Sequence, residues 1–224
     1  FDLVNFGSNL GFSQGYNRLI EFVKSNYVDP QYWLFLNNDT KLFEDAISTL
    51  LECLKTDYNY AIAGLDAYEY NGGTTKNDRT GKLSGFGGCI RRDDSKLNID
   101  GFGKYWTDGF SGYKPGMEKQ PWFEDDYESG GMMMAKNLVL NQVWAKHGRW
   151  FDPIYSPIYS EDVDICCEVR LMGYKVMHVT KSGFRHAISV TTTKADQNKW
   201  WPIAVESHNK FVAKWKALID EGRV

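Results

Sequence analysis

Four short stretches of this 224-residue chain carry side chains with the right types to do chemistry. The first is Leu36-Asn37-Asn38-Asp39-Thr40, a polar cluster directly after the apolar run Tyr32-Trp33-Leu34-Phe35. Open α/β sheets bind ligands at the carboxyl ends of their strands, and an aspartate there can ligate a hard divalent cation that bridges two phosphates. Asn, Asp and Thr equally favour a plain turn and helix cap, so this cluster alone leaves both readings open. The second is Ser160-Glu161-Asp162-Val163-Asp164. Carboxylates in a first helical turn gain about 0.3–1 kcal/mol each from the helix dipole, which would account for them without any activity. The functional alternative gives one of them to a general base, worth about 10²–10⁴ in rate. The third is His186, which follows a strand; a histidine there is more often a surface or core residue than a ligand. His147, His178 and His208 have no comparable context. The fourth is Asn9-Leu10-Gly11-Phe12-Ser13-Gln14-Gly15-Tyr16-Asn17, a glycine-bearing loop entering a helix. It would let backbone approach a phosphate, but it matches neither the dinucleotide nor the P-loop fingerprint.

The elements that must hold these groups alternate. Phe1 to Asn5 reads as a strand, and Ser13 caps a helix through about Lys24 with Leu19, Ile20 and Val23 inward. Tyr32 to Leu36 reads as a buried strand, Leu42 to about Lys55 as an amphipathic helix, and Ala61 to Leu65 as a second buried strand. Strand, helix, strand, helix, strand predicts a parallel sheet with helices on its faces. From Tyr70 to Asp126 neither periodicity persists; this irregular excursion carries Trp106, Tyr113 and Trp122. Order returns with a strand around Met132 to Ala135 and a helix from about Leu138 to Gly148. A helix opened by residues 160–164 and closed by Gly173 follows, then a strand from Tyr174 to Val179 and a loop bearing His186. The stretch Pro202 to Ile219 reads as an amphipathic helix rich in Lys and Trp.

Composition bounds the partners. Hydrophobic residues make up 42% and charged residues 25% of the chain, as in an ordinary globular protein. A net charge of −3 gives no electrostatic footprint for nucleic acid. Aromatic content is 15%, high enough that some rings are expected to stack on sugar faces while most fill the core. Cys53, Cys89, Cys166 and Cys167 form no CxxC pair, so neither zinc ribbon nor disulfide framework follows, and reduced thiols in a cytoplasmic protein are expected. No apolar run reaches the roughly 18 residues that would span a bilayer. The C-terminal helix, with Lys199, Trp200, Trp201, Lys210, Lys214, Trp215 and Lys216, either packs on the domain with its lysines solvated or touches a membrane surface. The chain begins at Phe1 without Met, which is read as a fragment whose first structural unit is missing.

Taken in order, these four features together with Phe151-Asp152-Pro153, Ile165 and Gly173-Tyr174 resemble family 2 glycosyltransferases, nearest the rhamnosyltransferase and galactofuranosyltransferase-like branch, over Phe1 to about Ser189. The resemblance implies a GT-A fold: α/β, a Rossmann-like, mostly parallel sheet flanked by helices, here lacking its first N-terminal strand–helix unit. Residues 1–194 would be the catalytic domain, with 1–69 the nucleotide-side half, 70–130 an acceptor-side excursion, 131–194 the catalytic half, and 195–224 a C-terminal helical appendage. It implies an inverting transfer of a sugar, rhamnose-like or hexose, from a dTDP- or UDP-linked donor to a glycan or lipid-linked acceptor, in the cytoplasm or at the inner face of a membrane. By position, Asp39 matches the last acid of the family's metal-binding DxD motif, with Asn37 in place of the first acid, and His186 matches a further ligand of Mn²⁺ or Mg²⁺. Asp162 matches the general base, with Glu161 beside it. Asn37, Asn38, Gly11, Gly15 and Asn17 match the donor side. Asp164, Trp106 and Trp122 are expected on the acceptor side. The family's opening strand with its base-holding acidic segment is absent, and residues 70–126 match nothing in it. Two other readings remain from the residues: a nucleotidyltransferase-like enzyme, and a non-catalytic carbohydrate-binding module.

Overall fold

In the computed structural model the described residues are 4–69, 87–92, 105–109, 119–186 and 194–224, with backbone alone described at 69, 89, 91–92, 105–109 and 194–199. Residues 1–3, most of the first expected strand, and most of the excursion, including Tyr113, lie outside them.

Helix α1 runs Gly11–Asn26, three residues earlier than a Ser13 cap would start it. Asn9 supplies the local turn instead, its Oδ1 accepting the Gly11 N–H at 2.9 Å. Gly11 sits at φ +70°, and a Cβ there would lie 2.5 Å from the Pro157 carbonyl oxygen, so glycine is required by both conformation and space. Ser13 falls inside the first turn and is buried. Strand β1 (Tyr32–Leu36) follows. Leu42, expected to open a helix, instead ends strand β2 (Thr40–Leu42), because this stretch pairs with the end of β8 (Lys175–His186), Thr40 opposite His186 and Leu42 opposite Phe184. Helix α2 is therefore shorter, Ala46–Thr56.

Strand β3 (Tyr60–Glu69), the ribbon β4 (Gly88–Arg92) with β5 (Tyr105–Gly109), and β6 (Trp122–Asp125) precede β7 (Met132–Lys136). Helix α3 (Asn137–His147) ends on Gly148 at φ +68°, as its C′ glycine predicts. A 3₁₀ turn over Pro153–Tyr155 leads to α4 (Glu161–Leu171), β8 (Lys175–His186) and α5 (Lys194–Asp220).

The sheet order is β1-β7-β3-β8-β2, with β6 also paired to β8. It is mixed, where the sequence rhythm predicts it mostly parallel: β3–β8 is parallel, and the other pairings described in this sheet are antiparallel. The reason is insertion. β1 and β3 run the same way, as a strand–helix–strand unit requires, but β7 returns from the excursion and lies antiparallel between them. Parallel direction was legible in the sequence; adjacency was not.

Both faces of the sheet are covered, which explains the near-continuous apolar strands. In β7, Met133 and Ala135 face a core built with α1, α3, α4 and α5, while Met132 and Met134 face a second core built with α2. The C-terminal helix contributes Phe211, Trp215 and Ile219 to the first core, alongside Trp150, Val143 and Ile165. Its inner face is thus integral to the domain rather than peripheral to it. Among the described residues, no helix is long and apolar enough to cross a membrane.

Candidate functional site

Asp39 and His186 meet although 147 positions separate them. The antiparallel pairing of β2 with the end of β8 brings them together, and Asp39 Oδ1 lies 3.0 Å from His186 Nε2. Both side chains are half-buried. A carboxylate oxygen and an imidazole nitrogen converging in this way suit a divalent cation in chemistry and in spacing.

The stretch before Asp39 is tied to the second acidic stretch by a short backbone relay. Asn37 donates its N–H to the Gly131 carbonyl at 3.0 Å, and the neighbouring Gly130 donates its N–H to Asp162 Oδ2 at 2.9 Å. The other oxygen, Oδ1, accepts the Val163 N–H at 2.9 Å. Burial raises the Asp162 carboxyl above the usual aspartate range, against these N–H donors, which hold it down. Gly130 is a glycine for reasons of space: a Cβ would stand 2.7 Å from the Phe12 ring and 3.5 Å from Asp162 Cβ. The start of α1, the end of β1, the start of β7 and the start of α4 therefore converge on one pair of glycines. Sequence reasoning missed Gly130-Gly131, whose signal was a glycine pair immediately ahead of a buried strand.

Glu161, beside Asp162, is buried, and its Oε2 has no hydrogen-bond partner. Desolvation, followed by the Asp162 charge, pushes its pKa up to about 8. The two residues ahead of it, Tyr159 (φ +76°) and Ser160 (φ +71°), both hold left-handed backbone without being glycine. Such strain clusters where surrounding structure dictates a side chain's direction; here it turns the chain into α4 so that Glu161 faces inward and Tyr159 stays exposed.

The remaining expected site residues are placed as follows. Asp164 is buried within the fold, accepting from Tyr155 Oη at 2.9 Å, Trp215 Nε1 at 2.7 Å and Lys214 Nζ at 2.9 Å. Asn17 clamps backbone, its Oδ1 accepting the Trp150 and Phe151 N–H groups at 3.1 Å and its Nδ2 donating to the Phe151 carbonyl at 2.7 Å. Gly15 lies within α1 with open space where a Cβ would be, and Asn38 is exposed beside Asp39. Trp122 is half-buried against the α2-side core with Lys181 Nζ 5.0 Å from its ring. Trp106 lies in β5, its side chain outside the described residues.

A second polar cluster was not expected at all. His178, in the first half of β8, is buried, with Nδ1 2.9 Å from Glu128 Oε1 and Nε2 3.0 Å from Asp66 Oδ1. Tyr68 Oη donates to the other Asp66 oxygen at 3.3 Å. Asp125, at the end of β6, is buried beside them. Burial raises Asp125 to about 8 and Glu128 to about 7; for His178, burial opposes the charged form, but Glu128 and Asp66 carry it to about 10. Asp125, Glu128 and His178 form a group with the ligand types and spacing to hold a metal ion. The signal was available: Asp66 and His178 interrupt otherwise apolar strand runs, and a buried polar side chain must find partners.

No protein-family model matches the chain, and no curated protein sequence matches it. Among solved structures the chain is similar to a crystal structure of GalNAc-T7 with UDP, GalNAc and Mn²⁺, at 15% identity and a TM-score of 0.49. The likeness covers 80% of this chain and 31% of that one, so the chain spans about a third of that protein's length.

Proposed function

We propose that the protein is a metal-dependent, inverting glycosyltransferase that moves a sugar from a nucleotide diphosphate to an acceptor hydroxyl. The observation that carries this reading is the convergence of two distant stretches. Asp39 with His186, and Asp162 with Glu161, are linked through Asn37, Gly131 and Gly130 by one backbone–backbone hydrogen bond and one from backbone N–H to the Asp162 carboxylate. The sequence resemblance supports the same assignment of roles, and supports a dTDP- or UDP-linked donor, rhamnose-like or hexose, with a glycan or lipid-linked acceptor.

Asp39 and His186 would hold Mn²⁺ or Mg²⁺, which when bound neutralises the diphosphate as it leaves. Asp162 accepts the proton of the attacking hydroxyl. Its two backbone N–H donors fix the carboxylate plane while leaving lone pairs free on both oxygens. Attack from the face opposite the leaving group inverts the anomeric carbon. Glu161 keeps its proton at neutral pH and so lowers the charge beside the base.

The test is thermal stabilisation by a panel of nucleoside diphosphates and nucleotide sugars, with Mn²⁺ or with chelator, paired with a transfer assay. A Mn²⁺-dependent shift is expected for one nucleotide, lost in Asp39→Ala. Asp162→Asn should keep that shift and lose at least ~10² in transfer rate. Because burial raises Asp162, the acid limb of the wild-type rate profile should lie above the pH of an ordinary aspartate. A wild-type chain that binds glycans, shows no donor shift and is indifferent to Asp162→Asn would instead be a binding module.

A further inference from the structure

We propose that Asp125, Glu128 and His178 form a second divalent-metal site, buried in the sheet, separate from the Asp39–His186 pair and suited to a first-row transition ion such as Zn²⁺. The first observation is an unsatisfied atom. Asp125 is 5% exposed and its Oδ1 accepts the Asp126 N–H, but its Oδ2 has no hydrogen-bond partner. A buried carboxylate oxygen without a donor is costly. A proton would remove its charge but leave that oxygen still without a hydrogen-bond partner.

The second observation is where that oxygen points. Gly87 has φ +86°, and a Cβ built on it would lie 2.6 Å from Asp125 Oδ2 and 2.8 Å from Glu128 Oε1. Both carboxylates are therefore aimed at one small volume that only glycine leaves free. His178 Nδ1 faces the same volume, and one ligand atom from each of the three residues lies within 4.8 Å of the others. Gly64 closes the far side, since a Cβ there would meet Glu128 Oε2 at 2.0 Å.

The third observation is the outer support. A metal-bound imidazole usually donates its other N–H to a carboxylate, which fixes its tautomer and orientation. Asp66 Oδ1 sits 3.0 Å from His178 Nε2, and Tyr68 steadies Asp66 from behind. With Nε2 protonated, the Nδ1 lone pair is directed at Glu128 and Asp125. Two carboxylate oxygens and one imidazole nitrogen suit a borderline first-row ion, and Zn²⁺ outranks Mn²⁺ on the general affinity order. Its +2 charge would offset carboxylates that burial otherwise disfavours. The ion would join the end of β6, the segment leading to Gly130, and the first half of β8. The competing arrangement is an imidazolium bridging Glu128 and Asp66, which leaves Asp125 Oδ2 unsatisfied.

The experiment is metal analysis of the purified full chain, as wild type, Asp39→Ala, Asp125→Asn, Glu128→Gln and Asp66→Asn, with Co²⁺ exchanged for the bound ion as a spectroscopic probe. Stoichiometric zinc and a visible cobalt absorption are expected in wild type and in Asp39→Ala. Both should be lost in Asp125→Asn and Glu128→Gln. Asp66→Asn, which touches no metal, should weaken zinc about 10–100-fold while keeping the cobalt band. A wild-type chain without zinc or a cobalt band overturns the proposal even if a variant fails to fold. So does metal that disappears with Asp39→Ala and survives Asp125→Asn. None of these readouts uses transfer activity, so the transferase reading can fail without it.

Discussion

At the scale of single residues, the candidate site depends on one missing side chain. Gly130 presents its N–H to Asp162 because the Phe12 ring occupies the space a Cβ would need. Gly130→Ala should force these groups apart, destabilise the fold by about 1–3 kcal/mol and lower transfer; Phe12→Leu in the same chain should restore part of both, read by denaturant melts and rate. Glu161 makes a prediction of opposite sign for stability. Its folded pKa, about 8, lies above the ordinary glutamate value, so the folded state retains a proton that the unfolded chain gives up. This contribution is fully favourable below about pH 4.5 and is lost as pH rises toward 8. Glu161→Gln removes the dependence. Relative to wild type, the variant should gain roughly 1–3 kcal/mol between pH 5 and 8 in urea-melt stability.

At the scale of elements, α4 is positioned from behind by α5. Asp164 lies one helical step beyond the Glu161–Asp162 pair and takes donors from Tyr155, Lys214 and Trp215, while Lys214 also reaches Glu168 at 3.3 Å. Removing that carboxylate strands the buried Tyr155 hydroxyl and Trp215 N–H, and leaves the partly exposed Lys214 with Glu168 and Asp152 as its remaining partners. Asp164→Ala should therefore cost about 2–4 kcal/mol, measured as a shift of the denaturation midpoint, whereas Lys216→Ala, in an exposed pair with Asp220, should cost less than ~1 kcal/mol. The clamp of Asn17 on residues 150–151 acts likewise on the other side, holding the loop that leads into α4 against α1.

At the scale of the whole molecule, the sheet's mixed order is what assembles the site. Strand β7 lies between β1 and β3, so its leading glycines sit against the end of β1; β8 is long enough to pair with β6 in its first half and β2 in its last residues. The two cores lie on opposite faces of that sheet, and α5 closes one of them with Phe211, Trp215 and Ile219. Deleting residues 200–224 should therefore leave a chain that keeps helical circular dichroism but loses its cooperative melt, because several fully buried side chains would become exposed together.

The sequence by itself determined the local units: apolar runs too continuous to be anything but doubly covered strands, a helix closed by Gly148, another opened by three acids, and the two motifs that Asp39 and Asp162 belong to. Those properties are local because propensity, capping and periodicity act over a few residues. Thr40–Leu42 escaped such reasoning, since its strand state exists only through β8, far along the chain. The insertion of β7, the meeting of Asp39 with His186, and the burial of Asp66, Asp125 and Glu128 around His178 were decided by tertiary structure alone. Each depends on which distant strands become neighbours, and the energy that selects those neighbours comes from burying both faces of the sheet at once rather than from any single segment.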